Sequence, residues 1–196
     1  MPQDASQAAE APILDLFLDH LMGARFEDLD ARTLEKTKIF LLDTLGVGLA
    51  GSGGAQVSEL IETVKGWGRG DEAAVWMSGE RLPAGSAAIV NAYQIHCLEY
   101  DCVHEGAVVH PMATILSALL AYAERRSGQG RPVAGRAFLL ALALGVDVAT
   151  LLGVAATGPL GFFRPAVAGG MGAAAALARL EGLDRDGVKN ALGAMY

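Results

Sequence analysis

The sequence predicts an all-α fold of about seven helices. Segments with apolar residues at helical spacing follow one another along the chain, whereas a β-prone pattern is confined to about residues 73–82. Of the 196 residues, 52% are hydrophobic and only 6% are aromatic, and 25 are Gly. Small side chains let helices approach closely, so we expect a core built mainly of Ala, Leu and Val.

The first three helices are marked by their ends. Residues 13–22 have apolar positions at helical spacing, and His20 lies near the end of this segment. The second helix is predicted to begin after Asp30, a favoured N-cap residue, and to end at Gly51. Because its second half is apolar on nearly every side, we expect that end to be buried. Residues 57–68 form a third, amphipathic helix that glycine terminates.

The later helices follow a short extended piece. Residues 73–82 combine a β-prone stretch with a Ser-Gly turn, which predicts at most a small two-stranded element. Helical spacing returns at residues 84–100. Another helix is predicted to begin at Pro111, because proline at the first helical position loses no needed hydrogen bond. The remaining helical segments are residues 133–156, residues 165–180 and a last helix that begins after Asp184.

The chain is predicted to form one domain. Residues 1–12 are polar, acidic and Ala-rich, as expected of a loose leader. Residues 13–196 contain no interdomain linker, and their length is sufficient to bury a sizeable core. The last helix reaches Tyr196 without a C-cap or a polar tail. We therefore expect residues 13–196 to be a truncated part of a larger folded unit.

Charge and cysteine content restrict the partners and the compartment. Fifteen Lys and Arg residues against 22 Asp and Glu residues give a net charge of −7, which disfavours nucleic acid and anionic membrane as partners. The long apolar run at residues 133–156 contains Arg136 and Asp147, as expected of a buried helix rather than a membrane span. Two cysteines do not make a disulfide scaffold, so we expect a reduced, cytoplasmic setting.

The stretch IHCLEYDCVHEGAVVHP, residues 95–111, holds most of the chain's titratable chemistry. It contains three of the four histidines, both cysteines and three carboxylates. A zinc site is one interpretation, but the ligand pairs of known zinc patterns are missing. A nucleophilic Cys102 beside His104 or His110 is another, although no oxyanion loop is visible.

An acid–base site fits the spacing of this stretch better. Glu99 is predicted near the end of one helix, Asp101 and His104 in the following loop, and His110 at the start of the next helix. A helix N-terminus favours a bound carboxylate, and a histidine placed there can bind an anion or donate a proton. On spacing alone, solvated carboxylates and a capping His110 explain the pattern equally well.

Three segments of the chain together resemble the MmgE/PrpD family. They are LLDTLGVGLAGS (41–52), AAIVNAYQIHCLEYDCVHEGAVVHPMATILSALLA (87–121) and RPAVAGGMGAAAALARLEGLDRDGVKNALG (164–193). The family includes 2-methylcitrate dehydratase, cis-aconitate decarboxylase and iminodisuccinate epimerase. The resemblance implies the N-terminal portion of an all-helical domain in a protein more than twice as long, with a second, α+β domain absent from these residues.

The resemblance also implies roles for individual residues. In the family's acidic cluster, Glu99 corresponds to the first acid, Tyr100 to the aromatic and Asp101 to the next acid. Cys102 stands where the family has the second of its paired acids. His110 corresponds to the histidine of the His-Pro helix start.

A second family motif is altered in this chain. Many members carry a G-F-H-P-like loop before the Ala- and Gly-rich helix, where this chain has GFFRPAVAG. Phe163 therefore stands in place of a site histidine, and Arg164 follows it. A cationic Arg164 suits a carboxylate substrate. The site lysines of the family lie beyond residue 196.

These observations define the expected function. The chain is expected to be part of a lyase or isomerase that acts on a small di- or tricarboxylate and resembles 2-methylcitrate dehydratase. We expect this enzyme to need neither a cofactor nor a metal. The expected catalytic residues are His110, Asp101, Glu99 and His104, and the expected substrate-binding residues are Arg164 and Tyr100. A homodimer is expected from the apolar content and the resemblance. The alternative is a catalytically silent helical module that serves dimerisation or forms part of a split protein.

Overall fold

The computed structural model describes residues 13–156, 158 and 163–195. The predicted leader at residues 1–12, most of the loop before the Ala- and Gly-rich helix, and the end at Tyr196 lie outside these residues. Eight α-helices and one two-stranded sheet are present in the described part of the chain. The helices are α1 (Ile13–Gly23), α2 (Ala31–Gly51), α3 (Val57–Lys65), α4 (Ala84–His96), α5 (Pro111–Gly128), α6 (Gly135–Ala155), α7 (Arg164–Glu181) and α8 (Arg185–Gly193).

The predicted all-α class is confirmed. A short 3₁₀ turn, Phe26–Asp28, precedes α2, and the sheet consists of β1 (Ala73–Ala74) and β2 (Arg81–Leu82). The two strands are antiparallel, with Ala73 opposite Leu82. The extended piece therefore lies within residues 73–82, where the sequence predicted it.

Helix α5 lies at the centre of the fold and packs against α4, α6 and α7. Its inner face buries Met112, Ile115, Leu116 and Leu119, and these side chains meet apolar residues of α6 and α7. The other end of the molecule has a second core, formed where α1 and α8 pack on α6 and α7. The first of these two cores includes Met112, the second residue of α5, and so fixes the start of that helix.

Glycines set the closest helix contacts, as the composition predicted. A Cβ added at Gly145 of α6 would lie 2.9 Å from the carbonyl oxygen of Gly172 in α7, and one added at Gly172 would collide with the carbonyl of Gly145. Gly51 of α2 likewise lies against the backbone of Gln94 in α4. This second contact fixes the last turn of α4 near the candidate site.

Helix α2 differs from the expectation that its second half is buried. It buries the small or polar residues Thr44, Gly48 and Gly51, whereas Leu42 and Leu49 are exposed. The reason is that the glycine face permits the close approach to α4. Leu41 and Leu45 pack partly against the core, and Leu42 and Leu49 point away from it. α2 thus presents an apolar outer face.

Helix α6 is long and apolar enough to span a membrane by length and composition alone. Nevertheless it packs along α7 and α5, and Leu140, Ala141, Leu144 and Val148 are buried there. Its two charged side chains each have a side-chain partner: Asp147 contacts His20 and Arg136 contacts Glu27.

Candidate active site

The loop between α4 and α5, residues 97–110, brings the end of one helix back to the start of the next. Helix α4 ends at His96, four residues before the predicted end, and Glu99 then takes a positive φ of 55°. Farther along, the His104 N–H donates to the Val109 carbonyl at 2.9 Å. Val108, with a φ of 54°, allows the chain to reverse between these two residues.

The loop is anchored by a small buried cluster. Ala107 and Val109 are fully buried beside Ala168 of α7. Gly153 of α6 approaches Ala107 so closely that an added Cβ would lie 2.6 Å from the Ala107 Cβ. This packing fixes the residue that follows Val109, which is His110 at the N-cap position of α5.

Asp101 is the centre of the candidate site. Its side chain is 0% exposed, and its Oδ1 lies 3.0 Å from Nδ1 of His96 and 3.3 Å from Nδ1 of His110. Its second oxygen, Oδ2, is buried with no hydrogen-bond partner among the described residues. A buried carboxylate needs hydrogen-bond donors or a cation nearby, and here two imidazoles occupy that place.

The contact with Asp101 determines which nitrogen of each histidine carries a hydrogen. A carboxylate only accepts hydrogen bonds, so both imidazoles present Nδ1–H to it and keep Nε2 for other partners. The two rings meet edge to face, with their centroids 4.9 Å apart. The His96–Asp101 contact meets hydrogen-bond geometry, whereas the His110–Asp101 contact is close but poorly aligned.

Both imidazoles line a cavity of about 530 Å³. Glu99 and Thr114 add polar atoms to its wall, and the rest of the wall is mainly aliphatic and aromatic. The apolar lining residues include Leu60, Ile89, Ala92, Tyr93, Phe163 and Pro165. No Lys or Arg lines the cavity in the part of the chain that the structure describes. A few convergent polar groups in an apolar pocket are typical of a small-molecule site.

The structure brings together three of the four predicted catalytic residues. Asp101 and His110 are in contact, and Glu99 lies at the cavity wall with its Oε1 3.6 Å from Nε2 of His96. His104 is placed elsewhere: its Nδ1 accepts the Ala107 N–H at 3.0 Å, and its ring faces a different cavity, between α2 and α6. His104 therefore stabilises the loop through its ring.

The two predicted substrate-binding residues lie outside the cavity. The Tyr100 side chain is mostly exposed and borders the surface near α2. Arg164, the first residue of α7, directs its guanidinium to backbone carbonyls of Ala107, Gly153 and Ala156 at 3.3–3.5 Å. It thereby connects the end of α6 to the loop. Phe163, which replaces the family's histidine, is the residue of this motif at the cavity wall.

His96 is the site residue that the sequence prediction of catalytic residues omitted. It is the last residue of α4, and Asp101 lies five positions later, in the loop. Helical periodicity does not extend into a loop, so the sequence pattern could not predict that these two side chains meet. The available signals were the local density of histidines and the i, i+3 relation between His96 and Glu99.

The cysteine beside Asp101 remains a protonated thiol at neutral pH. Burial, together with the smaller effect of the nearby carboxylates of Asp101 and Asp43, raises the pKa of the Cys102 thiol to about 11. A thiolate nucleophile requires a lowered pKa, so the structure gives no support to covalent catalysis by Cys102.

Within the part of the chain that the structure describes, His96, Asp101 and His110 form a group that could hold a metal ion. One ligand atom from each lies within 4.8 Å of the others. Two imidazoles and one carboxylate form a donor set that several transition metals accept. The 3.0 Å separation between His96 and Asp101 equally satisfies a direct hydrogen bond, which needs no ion.

The fold and the site together define a helical domain with a buried carboxylate between two imidazoles at the start of a helix. The chain belongs to the MmgE/PrpD family, because the model of the MmgE/PrpD N-terminal domain matches residues 16–196. The resemblance seen in the sequence is thereby confirmed.

Curated relatives are cis-aconitate decarboxylases. That of Homo sapiens is 30% identical over 185 residues, which cover 92% of this chain and 38% of the relative. A cis-aconitate decarboxylase-like protein, oryM, of Aspergillus oryzae is 31% identical over 172 residues, 85% of this chain and 36% of the relative. The enzyme of Aspergillus terreus is 26% identical over 195 residues, 97% of this chain and 40% of the relative. The chain thus spans about two fifths of the length of these relatives.

Proposed function

We propose that the chain is part of a lyase or isomerase that acts on a small di- or tricarboxylate by acid–base chemistry. The observation that carries the proposal is the buried Asp101 carboxylate between His96 and His110 at the wall of a cavity. Family membership and relatives named as cis-aconitate decarboxylases support a carboxylate substrate. Neither a cofactor nor a metal is part of this proposal.

His110 is the proposed acid–base residue. With Nδ1 turned toward Asp101, its Nε2 is free to take a proton from a carbon α to a carboxylate, or to return one to carbon. The negative charge of Asp101 stabilises the imidazolium that forms, as the buried carboxylate of a catalytic triad does. His110 is well placed for this exchange, because it lies at the N-cap of α5 and lines the cavity.

The start of α5 is the proposed anchor for a substrate carboxylate. The N-cap residue His110 makes no side-chain hydrogen bond to this helix, and the first-turn residues Ala113 and Thr114 line the cavity. Free N–H groups at a helix N-terminus and the positive end of the helix dipole favour a bound anion. The surrounding apolar wall excludes water and so strengthens these interactions.

Two reactions suit this arrangement. In decarboxylation, the C–C bond to the departing carboxylate breaks, carbon dioxide leaves, and the residual electron pair on carbon takes a proton from the imidazolium. In a 2-methylcitrate dehydratase-like reaction, the imidazole removes the α proton and hydroxide leaves with a proton as water. The names of the relatives favour decarboxylation.

The proposal is tested by assaying the complete gene product on cis-aconitate and on 2-methylcitrate. We expect release of carbon dioxide or loss of water at a rate that a chelator does not alter. Turnover that is lost on chelation and restored by Zn²⁺ would instead assign His96, Asp101 and His110 to a metal centre. Absence of turnover on a panel of small di- and tricarboxylates would contradict the enzyme proposal.

A silent helical module is the second candidate, favoured by one observation. The apolar side chains of Leu42 and Leu49 on α2 are exposed in the described part of the chain, as expected of a surface that another chain or segment covers. The same surface supports a homodimer, which we propose under either function. We also propose a reduced, cytoplasmic setting, which the free thiols of Cys97 and Cys102 support.

A further inference from the structure

His96 makes the better hydrogen bond to Asp101. Its Nδ1 lies 3.0 Å from Asp101 Oδ1 in hydrogen-bond geometry, whereas the Nδ1 of His110, at 3.3 Å, is not aligned. The other carboxylate oxygen has no partner among the described residues. Within this part of the chain, the orientation of the Asp101 carboxylate therefore depends on His96.

The backbone that carries His96 is itself fixed. Its helix, α4, meets α2 at Gly51, whose Cα lies against the carbonyl group of Gln94. Cys97, the next residue after His96, places its Sγ 3.5 Å from the Gly51 carbonyl oxygen. Asp101, by contrast, belongs to a loop with Glu99 in the left-handed region. A rigid helix end thus holds a carboxylate that the loop alone does not orient.

We propose that His96 is a positioning residue of the acid–base site. It donates its Nδ1–H to Asp101 and so holds the carboxylate where it can pair with His110 when His110 gains a proton. The effect of His96 on turnover rests on the proposed function, in which His110 acts on a substrate. The orientation of Asp101 by His96 does not depend on that function. Misplacement of a catalytic group by about 1 Å lowers turnover by about a hundredfold, so a loss of ten- to a hundredfold is expected when the His96 donor is removed.

Two substitutions of nearly equal shape separate the hydrogen bond from the volume of the side chain. In His96→Asn the amide nitrogen occupies the place of Nδ1 and still donates, whereas His96→Leu fills similar space without a donor. Kinetics of the complete gene product should show kcat within about threefold of wild type for His96→Asn and at least about tenfold lower for His96→Leu. KM should stay within about threefold in both, because the substrate anchor at α5 is unchanged.

The matched control is His20→Asn. His20 on α1 also pairs with an aspartate, Asp147, at 2.7 Å, but this pair lies on the surface, outside the cavity that His96 lines. The control should leave kcat and KM unchanged. If His96→Leu does not fold by circular dichroism, His96→Gln takes its place, because its amide lies one bond too far from Cβ to replace Nδ1.

The outcomes are distinct. Wild-type turnover in His96→Leu, or in His96→Gln where that replaces it, would overturn the proposal, and so would an equal loss in His96→Asn, because the imidazole itself would then be required. ¹⁵N NMR of the His110 ring gives a readout that needs no turnover. We expect the Nδ1–H form in wild type and in His96→Asn, and a mixture of tautomers in His96→Leu. If no carboxylate is turned over but this pattern appears, the proposed function fails and the positioning role stands.

Discussion

Replacing Asp101 by Asn tests the acid–base proposal most directly. The side chain keeps its size, so the 0% exposed position stays filled, but the negative charge between the two imidazoles disappears. Both ring nitrogens contact the same carboxylate oxygen, Oδ1. An amide oxygen at that place accepts from them without the negative charge, whereas an NH₂ group there leaves two donors facing a donor, so that each imidazole must change tautomer or lose its partner.

The expected loss follows from these contacts. Hydrogen bonds to a charged group are roughly twice as strong as neutral ones, and Asp101 contacts His96 and His110 within 3.3 Å. A wrong tautomer in the Ser-His-Asp triad lowers kcat by about 10⁴-fold, and loss of one general acid or base lowers it by about 10²–10⁴-fold. We therefore expect Asp101→Asn to lower kcat at least about a hundredfold, or about 2.7 kcal/mol of activation free energy.

Steady-state kinetics measure this loss on whichever of cis-aconitate and 2-methylcitrate the complete gene product turns over, with thermal unfolding to check that the fold persists. The matched control is Cys102→Ser, at the next residue, where burial keeps the thiol protonated at neutral pH. It should retain turnover within about threefold, since no thiolate chemistry is involved. Turnover of Asp101→Asn within threefold of wild type, in a protein with an unchanged melting temperature, would refute the acid–base reasoning.

The remaining predictions concern the neighbouring histidines, the helix contacts, the thiol and the assembly. His110→Ala should lower kcat at least about a hundredfold. His104→Asn should stay within about threefold, because its amide oxygen can still accept the Ala107 N–H and the ring of His104 faces another cavity; kinetics on both variants check this. Gly172→Ala should lower the free energy of unfolding by about 1–3 kcal/mol in urea titrations, because a Cβ there collides with a backbone carbonyl. As a control, Gly46→Ala should not lower the free energy of unfolding, because an added Cβ has no neighbour within 4 Å. Because burial raises the pKa of Cys102 to about 11, iodoacetamide should label this thiol slowly at pH 8 in the folded protein and quickly in denaturant, as mass spectrometry would show. Light scattering at micromolar concentration should give the mass of a dimer, and a monomer would contradict that proposal.

The sequence predicted the helices well because each has a local signal. Asp30 accepts from the Thr33 N–H at 2.6 Å as an N-cap residue, and Pro111 begins α5 as its preset φ predicts. The end of α4 was predicted at residue 100 but lies at His96. Helical spacing continues past His96, and only the left-handed Glu99, a property of the folded loop, terminates the helix.

The site was predicted in part for the same reason. Asp101 and His110 could be named because the family motif marks them. His96 was omitted because its pairing with Asp101 depends on how the loop folds back on α4. His104 and Arg164 have suitable side chains for a site, but the structure directs them to backbone groups, the Ala107 N–H and the carbonyls at the end of α6. Side-chain type alone does not reveal such orientation.

Glu99 and Val108, the two left-handed residues of the α4–α5 loop, affect which substitutions this loop can accept. A positive φ is rare for any residue with a Cβ and rarest for a β-branched one such as Val108, and such a conformation costs about 1–3 kcal/mol. A screen for heat resistance should therefore select glycine or asparagine at position 108. Because glycine and asparagine adopt this φ at lower cost, the backbone that leads to His110, two residues farther on, would keep its course in such variants. Position 108 is therefore expected to gain heat resistance by substitution while the candidate site keeps its geometry.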